Sequence, residues 1–179
     1  MTMNFNPRIL VFWATGVFLL LLSMLVNSRL TPFSLYLVLL GPILIMPALS
    51  FKSPALILYC FITGISIDAL LPQPYWLFVY GLPVIGLLIR SMRSRFRTET
   101  SYHSVALAHI ANFACIALLC TSQGIYFGEI SASMLQILAI VLLSHVILSI
   151  VAPWFFSFQR CLFQILNIEY AQENKFSTP

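Results

Sequence analysis

Uncharged apolar runs and short polar breaks alternate along the chain. The first run, Ile9 to Val26, follows Arg8 and carries no charge. About 20 apolar residues at 1.5 Å each make a helix that crosses a hydrocarbon core of roughly 30 Å. Arg8 ahead of the run and Val26-Asn27-Ser28 behind it give it some likeness to a signal peptide, but its length and the runs that follow predict a retained helix. A second run, Leu30 to Leu49, is interrupted by Gly41-Pro42 and Pro47. A proline inside a helix removes an N–H and frees a carbonyl, so this span is predicted to be kinked or broken. The third, Pro54 to Leu71, holds Asp68, the one acid within an apolar run.

Pro72-Gln73-Pro74 reads as a tight turn. The fourth run, Tyr75 to Ile89, is short and carries Pro83 between Gly81 and Gly86; the polar segment Arg90 to Ser101 follows it. A fifth run extends from Tyr102 to Cys120. After a loop with Gly124, Gly128 and Glu129, a sixth goes from Ser133 to Phe158, with Pro153-Trp154 near its end. Residues 159–179 form a polar tail, whose stretch Arg160 to Ile168 suits a helix lying on a membrane surface before a disordered end.

Composition turns this pattern into a class. Of 179 residues, 60% are hydrophobic and only 8% charged, whereas a soluble domain has about a quarter of its residues charged. A soluble fold, intrinsic disorder and a water-soluble nucleic-acid binder are thereby excluded. The expectation is an all-α, polytopic membrane protein: one bundle of about six transmembrane helices over residues 1–158, then a cytoplasmic tail. Six spans put both termini and the even-numbered loops on one side. That side collects Arg8, Lys52, Arg90, Arg93, Arg95, Arg97, Arg160 and Lys175, and the other only Arg29. Basic residues stay cytoplasmic, so both termini are predicted to be cytoplasmic.

Few side chains invite chemistry. Cys60, Cys115, Cys120 and Cys161 form no CxxC pair and no zinc spacing, and within apolar runs a thiol behaves as a small hydrophobe. Asp68 lies late in its run, near the outer interface. It suits either a cap reaching water or a bundle-facing anchor paired with Gln73, Tyr75 or the Arg29 loop. Asn112 on the fifth span and His145 on the sixth both fall near mid-membrane, where a hydrogen bond between helices contributes about 0.6–2 kcal/mol. His103 and His109, six apart, share no helical face for a metal. Ser104, Ala108, Ala111 and Cys115, at steps of four, three and four, make a small-residue seam suited to close helix packing. The cluster Arg90, Arg93, Arg95 and Arg97 serves as a topology determinant and a contact for anionic lipid headgroups.

An enzyme is not expected, and neither is a cofactor, a metal, a small-molecule substrate or a nucleic acid. Gly64-Ile65-Ser66 with His145 falls short of a rhomboid-type intramembrane serine protease: Ile67 stands where those proteins have a second Gly, and His109 and Asn112 are three apart rather than four. There is no HExxH and no Gly-rich phosphate loop.

The stretch Gly64-Ile65-Ser66-Ile67-Asp68, late in the third of six short spans, resembles the G-x-x-x-D element of the MreD family of bacterial rod shape-determining proteins. The following turn, the apolar fourth span and the Arg-rich segment Arg90 to Arg97 continue the similarity, which covers about Phe51 to Cys120. One turn apart on one face, Gly64 lets a neighbouring helix approach while Asp68 meets a polar partner above it. The resemblance implies a non-enzymatic inner-membrane component of the cell-elongation machinery. It also implies partners: membrane-anchored MreC, the actin-like MreB filament and the peptidoglycan synthases of the lateral wall. The same hydropathy is similar to the substrate-binding S components of energy-coupling-factor vitamin transporters. Their first-span Ala-x-x-x-Ala signature is absent, because Phe18 stands four residues after Ala14.

The charge asymmetry makes a direct prediction. Reporter fusions placed after Arg97 and at the C-terminus should both read cytoplasmic; opposite readings would end the six-span topology.

Overall fold

The computed structural model describes residues 7–70, 76–92, 101–127 and 134–168. Among these the chain is entirely helical apart from short connections: α1 (Pro7–Leu30), α2 (Gly41–Ser50), α3 (Ser53–Leu70), α4 (Leu77–Met92), α5 (Ser101–Phe127) and α6 (Met134–Ile165). Four stretches are long and apolar enough to cross a membrane, within Pro7–Phe33, Ser53–Leu70, His103–Thr121 and Met134–Ile165. The helices at Gly41–Ser50 and Leu77–Met92 are apolar but shorter. Large apolar side chains such as Leu25, Tyr80, Leu88, Val146 and Ile150 cover the outside of the bundle.

The second apolar run is broken, and proline chemistry explains how. Thr31-Pro32-Phe33 tightens into a 3-10 turn after α1, closed by Ser34 in the left-handed region at φ 55°. Residues 35–40 then run without helix, and α2 begins at Gly41-Pro42. Pro42 lies in the first turn, where its missing N–H would have had no intrahelical acceptor. Contacts place this whole segment antiparallel to α1: Asn27 bonds Leu37, Gly16 abuts Ile43, and the rings of Phe12 and Phe51 stand 5.4 Å apart. Together, this unwound stretch and the ten-residue helix after it run back along α1 as one broken segment.

Pro47 inside α2 deprives the Ile43 carbonyl, four residues earlier, of its helical donor. The Tyr59 hydroxyl of α3 supplies one, at 3.0 Å, and Tyr59 is wholly buried. Its ring continues an aromatic cluster with Phe12, Phe51 and Phe163. Phe12 and Phe163, near opposite ends of the described chain, are 4.8 Å apart, so α1 starts and α6 finishes at the same end of the bundle.

The sixth helix runs past the expected end at Phe158, to Ile165. Gln159, expected to open the polar tail, is fully buried and donates to the Thr15 hydroxyl at 2.9 Å; Phe163 is buried against Phe12. A polar residue whose amide N–H finds an acceptor on another helix does not end the helix. Residues 169–179 lie outside the described chain.

The proline–tyrosine compensation can be tested by a double-mutant cycle. Tyr59→Phe should cost about 1 kcal/mol, since it orphans the buried Ile43 carbonyl. Pro47→Ala, which restores the N–H, should make the same Tyr59→Phe change nearly neutral, as read by thermal unfolding in detergent.

Candidate functional site

Gly64 and Asp68 act on the same two residues of the neighbouring helix. The Asp68 carboxylate accepts the Phe78 N–H at 3.2 Å on each oxygen and the Val79 N–H at 3.1 Å. These N–H groups belong to the first turn of α4, which has no carbonyls ahead of it to bond. Trp76, just before the helix, sits at φ 54° and begins the helical bonding through its carbonyl to the Tyr80 N–H. Asp68 therefore caps α4 across space, with its charge at the positive end of the helix dipole. A Cβ on Gly64 would lie 2.6 Å from the Phe78 carbonyl oxygen and 2.7 Å from the Val79 Cα. Only a glycine lets the α4 backbone come that close. At the other end of the pair, a Cβ on Gly86 would lie 3.0 Å from the Cys60 Sγ. The bonds from Asp68 go to backbone; Gln73 and Tyr75, two of its expected partners, lie outside the described residues.

Asn112 does for α2 what Asp68 does for α4. Its Oδ1 accepts the N–H groups of Leu40 at 3.0 Å and Gly41 at 3.2 Å, and its Nδ2 donates to the Val38 carbonyl at 2.9 Å. The side-chain amide presents one acceptor and one donor group, as a peptide does, and so fits unwound backbone that lacks helical partners. Three further side chains complete this pairing. Asn27 exchanges two bonds with Leu37, at 2.6 and 3.0 Å; Ser144 accepts the Val38 N–H at 3.1 Å; Gln136 donates to the Ser34 carbonyl at 2.7 Å. At the far end of α2, the Arg90 guanidinium donates to the Phe51 carbonyl, placing a positive charge at the negative end of that helix.

The expected seam of Ser104, Ala108, Ala111 and Cys115 is buried throughout, and Gly41 packs onto it at the Ala108 carbonyl and Asn112. Asn112 and His145 do not meet. His145 instead faces His109, with the two Nδ1 atoms 2.7 Å apart and the rings stacked at 5.0 Å. Ser66 accepts the Trp13 indole N–H at 3.1 Å and donates to the Ile62 carbonyl, so it too has partners other than His145. Of the arginine cluster, Arg90 is engaged at α2, while Arg93, Arg95 and Arg97 lie outside the described residues. Among the described residues, no three His, Cys, Asp or Glu side chains gather as a metal ion would require.

Asn27, Ser144, Gln136 and Tyr59 were not singled out from the sequence. Their signal was available: each is a polar group in or beside an apolar run, in a chain whose second run is interrupted by prolines and therefore needs donors and acceptors. The arrangement is a set of clamps by which side chains of α1, α3, α4, α5 and α6 hold the ends and the unwound backbone of other elements. No family model matches the chain, and no curated protein or solved structure does.

Replacing Asn112 with leucine leaves the Val38 carbonyl and the Leu40 and Gly41 N–H groups without their partner in a dry interior. Each such orphan costs about 1–3 kcal/mol, so Asn112→Leu should destabilise the protein by at least ~2 kcal/mol. Chemical unfolding in detergent micelles measures it, and an unchanged midpoint would contradict the clamp.

Proposed function

We propose that this chain is a non-enzymatic membrane scaffold of the MreD kind, holding components of the bacterial cell-elongation machinery in the cytoplasmic membrane. In this reading six segments cross the bilayer, the broken second run and the short α4 included, with both termini cytoplasmic. The supporting observation is the work done by Gly64-x-x-x-Asp68. In the stretch that carries the resemblance, glycine and acid together fix the entry of α4, so the element has a structural reason to persist as a unit. Most polar side chains of the interior, Asp68, Asn112, Ser144 and Tyr59 among them, are committed to backbone, as suits a rigid platform for partners. MreC, MreB and the lateral-wall peptidoglycan synthases are the partners this reading names, with anionic lipid meeting the arginine segment.

Affinity recovery from detergent-solubilised membranes tests it. Wall-synthesis proteins should co-purify with the tagged chain. Recovery of an ATPase module and its coupling subunit would instead favour a transporter substrate-binding component. Asp68 gives the residue-level arm. Asp68→Leu removes the cap of α4 and should lower partner recovery while membrane abundance stays near normal. Asp68→Asn keeps an acceptor at the helix end and should be milder. Full recovery with Asp68→Leu would detach the motif from the function.

A further inference from the structure

We propose that the outer face of α6 along His145, Ser149, Pro153 and Ser157 is a docking strip for a transmembrane helix of another protein that presents hydrogen-bond donor side chains. These residues recur every fourth position, along the ridge that closely packed helices crossing at about −40° follow. Ser149, Pro153 and Ser157 are exposed, amid exposed apolar residues such as Leu142, Val146, Ile150 and Trp154.

The strip's chemistry follows from counting protons. The Ser149 hydroxyl donates to the His145 carbonyl at 2.9 Å, so its oxygen is left to accept. His109 Nε2 stands 3.3 Å from that oxygen, and the contact is a hydrogen bond when Nε2 carries the proton. A neutral His109 with its proton on Nε2 has a bare Nδ1, and the 2.7 Å contact then takes its proton from His145 Nδ1. This tautomer pair satisfies every contact in the cluster, and it leaves His145 Nε2 with an unused lone pair. One helical turn on, Pro153 has no N–H to offer the Ser149 carbonyl, which adds a second acceptor on the same face. The Ser157 hydroxyl already donates to the Pro153 carbonyl at 2.9 Å, so it too faces outward as an acceptor.

The strip is thus rich in acceptors and spends its own donors internally. Lipid tails supply no donors, and a second copy of the same strip would bring acceptors against acceptors. A helix carrying serine, threonine, asparagine or tryptophan at matching depth supplies what is missing, and the small residues on the ridge allow its close approach.

The inference deepens the scaffold reading, and rests on it in supposing a membrane-embedded partner. Its test needs no wall-synthesis protein, so either can fail alone. The full chain, labelled with a fluorescence donor, is reconstituted in phosphatidylcholine vesicles with an acceptor-labelled synthetic Leu/Ala transmembrane helix. That helix carries either one central Ser or Leu alone. The Ser helix should associate about three-fold more tightly than its Leu counterpart. His145→Phe should remove most of that preference. Pro153→Ala, which gives the Ser149 carbonyl its N–H and favours the helix, should also diminish it, independently of any loss of folding in the histidine variant. Equal association of the two peptides overturns the proposal, as does a preference that survives both substitutions. So does self-association of the protein that His145→Phe abolishes, since a second copy would then be the occupant.

Discussion

A chain that stops being helical inside an apolar bundle must find partners for its N–H and C=O groups there. Residues 35–40 meet this constraint with side chains drawn from three helices. The rest of the packing follows from it. Asn112 has to face inward, so α5 must turn its small-residue side to α2, and Gly41 must be bare for the two to touch. Ser144 has to reach Val38, which fixes the rotation of α6. An unmet backbone group in such surroundings costs several kcal/mol, more than most single apolar contacts contribute. Polar geometry sets the register here, and apolar burial fills in around it.

The same device recurs at α4 and along α2. Asp68 receives the start of α4, Asn112 the start of α2, and Arg90 and Tyr59 the carbonyls that α2 leaves open. Soluble helices usually cap themselves with a neighbouring residue in sequence, because water can finish the task. Here the caps come from other helices. Each one therefore joins two elements, and the helix termini become tie points of the tertiary structure.

Much of this was legible in the sequence, because apolar runs and their interruptions are physical quantities. The helical class and an interruption of the second run followed from run length and from its prolines, although the unwound stretch is 35–40 and the helix that begins at Gly41 continues through Pro47. The spacing of Gly64 and Asp68 gave their common face. Pairing was less legible. Asn112 and His145 sit at similar depth, yet rotation about the helix axis sends one to backbone and the other to His109. Depth can be counted along a sequence, whereas azimuth depends on the neighbours. The continuation of α6 through Gln159 was hidden for a related reason: a glutamine reads as surface until a buried threonine is placed beside it.

The clamp on the second segment also bears on how the chain is made. The partners of Val38, Leu40 and Gly41 stand 71 to 74 residues downstream on α5 and, for Ser144, 106 residues downstream on α6. A chain emerging N-terminus first holds this segment with its amides unanswered until α5 and α6 arrive. The first four helices are therefore not a self-sufficient folding unit. Closure of the fold must wait for α5 and α6, whose side chains lock an unwound segment made well before them.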